Sequence, residues 1–543
     1  MSSPLPSIPL VSPLLLILIS LPLFFLLFRD AFLRSSLRNT TTNTPVPAAP
    51  HTLPLFGNAL LFLRPRPVLL RYLTAVEHAH PHRTLAIRVP TVGVGALVQS
   101  PANVDFVLRS PATFAKGSFF TARSWDLFGH GIINVDGPLW KAQRRAGLAF
   151  LSVQKLRVLT EVALPGYIEV MCRELLLPRK GAWTGVGTGV VDLQSVFHGL
   201  TTRLMGRMAY GMEMSAEDEF TQCFEHASGV TARRFQNPAW KVTEFLFGWR
   251  FRRSVRVVKE FGRRIVEQAI EAREKAGRSP VVKSNEEVGE ESLAAVNEVE
   301  GSLVRSLLDS IGDEQLVADA ALNYLSAGRD TTAQALTWTF YLLLQEKHSH
   351  VVTKIRDEIE HVIQMTDHGH GKIRDIDTRL FTPNTAPYIL AVFYEAIRLY
   401  PPIPVEIKQV TRPTTLPDGT FLPKDAIVLW SPWSMSRSFD TWGPDAEDFK
   451  PERWLGPATG QETGRPFKFA NRPSGEFPVF NGGPRICLGK KMAEMVAVQV
   501  IAAVAWRFSL TPAWDVGKER RSPISLTLPM EGGLPCVVCE REA

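Results

Sequence analysis

The stretch Phe480-Asn481-Gly482-Gly483-Pro484-Arg485-Ile486-Cys487-Leu488-Gly489 decides how this chain folds. A loop rich in glycine and proline delivers one cysteine to an apolar run, residues 492–504, that reads as a helix. Several backbone N–H groups and the positive end of a helix then face Cys487, and both favour thiolate over thiol. Gly483 lets the chain come close to a flat cofactor, Phe480 can screen the sulfur from water, and Arg485 can reach an anionic substituent. Gly489 completes the loop ahead of the helix. A lone cysteine is more often an inert buried residue, so the loop needs support from the rest of the sequence.

Three further groups supply it, in a consistent order. Glu395-Ala396-Ile397-Arg398 lies inside a periodic apolar stretch, and the i,i+3 spacing puts both charges on one helix face. Apolar flanks at Ile389, Val392, Phe393, Ile397 and Leu399 suit a buried pair, and Pro451-Glu452-Arg453-Trp454 offers Arg453 as a third member. Ala327-Gly328-Arg329-Asp330-Thr331-Thr332 interrupts a helical run at 313–346, with Asp313 as N-cap and Glu314 in the first turn. Glycine followed by two β-branched residues is poor helix chemistry, and local rules are often broken at functional sites. Trp140-Lys141-Ala142-Gln143-Arg144 places an indole N–H and a guanidinium one helical turn apart, able to address one anionic group.

Together the spacing Phe-x-x-Gly-x-Arg-x-Cys-x-Gly and these three motifs resemble the cytochrome P450 superfamily, in its membrane-bound eukaryotic form. The resemblance implies haem b with its iron on the Cys487 thiolate, set in the loop of Phe480, Gly483, Arg485 and Gly489. It implies propionate contacts from Trp140 and Arg144, and from Lys408 where many members carry arginine. Thr331 becomes the hydroxyl of the oxygen-activation motif, Asp330 the acid of its proton-delivery chain, and Gly328 the opening over the cofactor face. Glu395, Arg398 and Arg453 become a structural triad that steadies the cysteine loop. The implied fold is mainly α with small β-sheets, preceded by a single transmembrane helix.

Composition agrees. A chain of 543 residues, 45% of them hydrophobic, can bury a large core. We expect a membrane anchor with a basic flank at 1–38, a Thr/Pro-rich linker and hinge at 39–58, and one catalytic domain at 59–543. Residues 1–28 carry no charge, and 10–28 are almost wholly apolar, about 28 Å as a helix against a hydrocarbon core of roughly 30 Å. Arg29, Arg34 and Arg38 follow, so the positive-inside rule puts the domain in the cytosol, consistent with an endoplasmic-reticulum anchor. Five cysteines argue against a disulfide scaffold, and Cys536-Val537-Val538-Cys539 reads as a closing strand rather than a metal site. Strands are expected at 85–89 and near 95–99, a helix from Ser100-Pro101, and a turn at Leu416-Pro417-Asp418-Gly419. Phe245, Leu246, Phe247 and Trp249, followed by arginines, suit either core packing or a membrane surface.

The C-terminal half looks like the fungal and plant branch that hydroxylates fatty acids and alkanes at or near the chain end. A terpenoid or polyketide substrate is an alternative; a haem-thiolate isomerase or dehydratase is disfavoured by the intact Asp330-Thr331. Pocket walls are expected near residues 119–133, 403–406 and 525–530. No charged residue there is an obvious carboxylate anchor; Arg123 is a candidate, although a solvent-facing arginine is the simpler reading. The resemblance implies O2, a hydrophobic substrate, membrane lipid and NADPH–cytochrome P450 reductase as partners, with cytochrome b5 as an optional second donor. Net charge is +7, and Lys141, Arg145, Lys490 and Lys491 are candidates for docking an acidic electron donor. Nothing in the sequence supports nucleic-acid binding.

Overall fold

In the computed structural model, a helix of 30 residues, Glu314–Leu343, runs through the middle of the molecule. Asp313 starts it as expected, its side chain accepting a hydrogen bond from the Leu316 N–H at 2.9 Å. Almost every side chain from Val317 onward is buried, which explains an apolar sequence on all faces. The structure describes residues 20, 37–53, 56–89, 92–176, 189–215, 219–278, 299–365, 376–457 and 467–541.

Six helices build the site: α1 (Arg66–Ala79), α2 (Pro101–Arg109), α3 (Gly137–Phe150), α4 (Glu314–Leu343), α5 (Pro387–Leu399) and α6 (Lys490–Arg507). Alongside them are β1 (Leu85–Val89), β2 (Gly93–Leu97), β3 (Phe114–Ala115), β4 (Glu406–Val410) and β5 (Ile427–Trp430). These strands form one sheet in the order β1-β2-β5-β4-β3, with β2 and β5 parallel and the other pairs antiparallel. The second strand starts two residues earlier than the sequence suggests, because β1 and β2 close as a hairpin pairing Val89 with Gly93. The fold is mainly helical with small sheets, as expected.

The core gathers around α4, α5 and α6. Ile389, Val392, Phe393 and Ile397 of α5 meet Val496, Val500 and Ile501 of α6 in one buried cluster with Leu336 and Phe340 of α4. Pro535–Glu540 closes a second sheet between Phe508–Pro512 and Val190–Asp192, confirming the expected final strand. Cys536 is buried and Cys539 exposed, on opposite faces of that strand.

The membrane span read from residues 10–28 lies, except for Ser20, outside the described residues. Among the described residues no helix is long and apolar enough to cross a membrane. The stretch expected as a linker is docked on the domain along part of its length. Val46 is buried against the main sheet's side chains, as is Leu37 just ahead of the linker, and Asn39 and Ala48 bridge to Thr420 and Ala86. The two halves of Phe245–Trp249 belong to separate helices, Trp240–Phe247 and Trp249–Arg278, and Phe245, Phe247 and Trp249 are 81%, 76% and 67% exposed. Core packing is therefore the wrong reading of that segment.

Candidate active site

The cysteine loop is locked by its own backbone. The Cys487 N–H donates to the Phe480 carbonyl at 2.7 Å, and Asn481 takes a left-handed φ of 61° to make the turn. Gly489 caps α6. Gly483 also sits at positive φ, but a Cβ there would lie 2.4 Å from the Leu108 carbonyl. Its conformation thus lets the loop close against α2, and Gly483 is not among the residues lining the cavity. Cys487 is walled by protein yet open to an internal cavity of about 510 Å³. Burial pushes its thiol above the usual range, and the Gly489 N–H, Arg144 and Lys490 pull it back only in part. A coordinated cation would hold this sulfur as the thiolate.

Behind the loop stands a saturated ionic centre. Glu395 receives Arg398 Nε at 2.8 Å and Nη2 at 2.9 Å, Arg453 Nε at 2.8 Å, the Lys450 N–H at 2.9 Å and Trp454 Nε1 at 2.9 Å. Arg398 spends its remaining donors on the carbonyls of Ser436, Ala446 and Asp448. Every lone pair and proton of this buried pair has a partner, the condition under which buried charge is tolerated. The three residues named from sequence meet as expected.

Across the cavity lies the broken turn of α4. Ala327, Gly328, Thr331 and Thr332 line it. A Cβ on Gly328 would come within 2.7 Å of Met205 Sδ, so glycine admits the helix Leu193–Met205 against α4 at this point. Thr331 Oγ1 donates to the Ala327 carbonyl at 2.6 Å, the back-bond that a mid-helix threonine makes. Asp330 does not line the cavity. Its carboxylate accepts from Arg329 Nε at 2.6 Å and lies 3.9 Å from His198 Nδ1, in a buried group that includes Thr221 on Arg329 Nη1. Burial depresses His198 to about 4 and raises Glu225. Asp330 and Thr331 are neighbours in sequence that serve two different faces.

One edge of the cavity is cationic. Lys116, Arg144, Lys408 and Arg485 line it with Trp140, and Glu406 is the single acid among the lining residues, 3.8 Å from Lys116. Arg485 bonds Asp136 and the Val135 carbonyl, stacks 4.5 Å over Trp140, and leaves its buried Nε without a partner. Arg144 Nη1 holds the Ile486 carbonyl at 2.9 Å. Lys408 is buried on β4, and burial with Lys116 and Arg485 nearby drives its pKa well below the ordinary lysine value. Four cations here face Glu406 on the wall and Asp136 beside Arg485, an excess of positive charge that suits an anionic occupant. A group with two carboxylates at one edge and a metal ion over Cys487 fits this donor set.

The remaining walls are apolar: Phe120, Phe128, Ile132, Ile133, Phe235, Ile403, Val405 and Leu526 among them. They fall largely in the three segments anticipated. Arg123 does not line the cavity; it bonds the Phe119 and Arg234 carbonyls and stacks on Phe119 at 3.8 Å. Arg66 does line it, and sequence reasoning missed it: Arg64-Pro65-Arg66-Pro67 carries no motif, and its burial depends on the distant segment 522–527.

The Cytochrome P450 family profile matches residues 47–537. The chain belongs to the cytochrome P450 family. It is therefore an oxidoreductase of the monooxygenase type, and the family's cofactor is a cysteine-ligated haem b. Cytochrome P450 94A2 of Vicia sativa is 31% identical over 539 residues, covering 97% of this chain and 98% of that protein. Cytochrome P450 94B1 of Arabidopsis thaliana is 30% identical, covering 98% of both. Cytochrome P450 monooxygenase cyp1 of Mycosarcoma maydis is 30% identical, covering 85% of this chain and 69% of that protein. Plant and fungal relatives are the two groups to which the sequence resemblance pointed.

Proposed function

We propose that this cytochrome P450 hydroxylates a long-chain fatty acid or alkane at or near its terminal carbon. One oxygen atom of O2 enters the C–H bond and the other leaves as water, with two electrons from NADPH. The observation that carries this reading is the apolar chamber between the cysteine loop and the broken turn of α4, which suits an unfunctionalised hydrocarbon segment.

Bound haem supplies dioxygen activation. Within the chain, Cys487 holds the iron, Phe480 screens the sulfur from water, and Gly483 and Gly489 set the loop's path. Trp140, Arg144, Lys408 and Arg485 hold the propionates. Thr331 offers a hydroxyl at the cavity wall, and Asp330, behind it, passes protons toward that wall from the polar group around Arg329. Glu395, Arg398 and Arg453 keep the loop rigid beneath.

Electrons come from a separate NADPH–cytochrome P450 reductase, with cytochrome b5 as an optional second donor. Lys141, Arg145 and Lys491 are exposed and Lys490 partly so, which supports docking of an acidic partner on this face. Residues 10–28 supply an endoplasmic-reticulum anchor. The exposed Phe245, Leu246, Phe247 and Trp249, with exposed Leu60 and Leu63, support lipid contact by the domain itself.

The test is turnover of the haem-loaded protein with reductase and NADPH on saturated C12 to C18 acids and alkanes, against a terpenoid panel. Chain-end alcohols are the expected products. Oxidation confined to terpenoids, or turnover of hydroperoxides without NADPH, overturns the proposal.

A further inference from the structure

Arg66 stands at the first turn of α1 and is only 7% exposed. Its Nη1 donates to the Pro523 carbonyl at 3.0 Å and the Thr527 carbonyl at 2.5 Å, and reaches Ser522 Oγ at 3.4 Å. Among the described residues, Nε and Nη2 have no hydrogen-bond partner. No carboxylate neutralises the group either: Glu406, the acid of the cavity wall, is occupied by Lys116. Burial alone lowers its pKa, to about 9, whereas Lys408 responds to Lys116, Arg485, Glu406 and Asp136. The helix position of Arg66 adds to the imbalance, since a helix N-terminus is itself positive. Leu69, Leu70 and Phe62 continue the same wall as apolar surface.

We propose that Arg66 is the anchor for the substrate's carboxylate, receiving it on Nε and Nη2 while the hydrocarbon chain extends along the apolar wall toward Cys487. This rests on the fatty-acid reading above and sharpens it: the enzyme should prefer acids to chains of equal length that lack the anion. A planar guanidinium with one edge pinned by carbonyls and the other edge free matches bidentate carboxylate recognition. The pinned edge also fixes where the head group sits, so chain length decides which carbon reaches the cofactor.

The experiment compares wild type, Arg66→Gln and Arg66→Lys as haem-loaded proteins. Binding of a C16 fatty acid and of the matching C16 primary alcohol is followed by the spin-state shift. Wild type is expected to bind the acid more tightly, Arg66→Gln to lose about 10- to 100-fold on the acid with little change on the alcohol, and Arg66→Lys to keep part of the preference. Because Arg66 also ties down segment 522–527, a purely structural loss would weaken both ligands equally; the acid-to-alcohol ratio separates the two. An unchanged ratio in Arg66→Gln, or no acid preference in wild type while both chains bind, overturns the anchor and leaves chain hydroxylation standing. Failure of wild type to bind either chain sinks the fatty-acid reading, and the anchor with it.

Discussion

Glu395 and Arg398, one turn apart on α5, meet through two parallel hydrogen bonds while neither side chain touches solvent. Arg453 arrives from a separate short helix and bonds the same carboxylate. A buried pair tolerated only through full saturation becomes a liability once one partner is gone. Glu395→Ala is expected to cost about 3–5 kcal/mol in chemical denaturation, with parallel loss of bound haem, since the loop beneath the cofactor loses its support. A denaturation midpoint equal to wild type would show that the triad does not brace the fold.

Glu77 is the opposite case. It is fully buried, and burial pushes its pKa from 4.5 up to about 7, the Ser438 hydroxyl and the His82 backbone opposing the rise only in part. The folded state therefore favours the neutral acid. Its contribution is intact below pH 4.5, is lost progressively as pH rises toward 7, and beyond that remains as a constant penalty. Glu77→Gln should gain on the parent by roughly 3 kcal/mol above pH 7 and by nothing near pH 4. Thermal melts of both proteins across that range check it; a pH-independent difference rules out the titration.

Much of this was legible because the motifs are local. The cysteine loop, the triad's i,i+3 pair and the α4 cap each express their geometry within a few residues, so spacing together with the resemblance to the cytochrome P450 superfamily recovered them. What stayed hidden depends on long-range packing. Gly483 proved to answer to Leu108, Asp330 to Arg329, and Arg66 to residues 522–527, partners that no periodicity announces.

The division between Thr331 and Asp330 leads to a functional expectation. Thr331 faces the cavity with its hydroxyl bonded to Ala327, whereas Asp330 is tethered to Arg329 on the far side. Thr331→Ala should leave substrate binding intact but reduce product per NADPH consumed roughly tenfold or more, as reducing equivalents are diverted to peroxide or water. Asp330→Asn should slow turnover with less uncoupling, because the cavity wall itself is unchanged. Full coupling in Thr331→Ala would remove the hydroxyl from the proton path.

The exposed Phe245, Phe247 and Trp249 carry the last expectation. Aromatic groups this open, followed by Arg250, Arg252 and Arg253, suit insertion at a lipid interface with the cations at head-group level. Burying one such side chain contributes roughly 1.5–3 kcal/mol, so replacing two should be visible even where another anchor contributes. The doubly substituted Phe245→Ser/Phe247→Ser protein should float with phosphatidylcholine vesicles containing a fifth of anionic lipid at least tenfold less well than the parent. Its haem content should be unchanged, since neither side chain packs in the core. Equal vesicle recovery for the two proteins would mean that this surface does not meet the bilayer, and that attachment rests on the segment at 10–28.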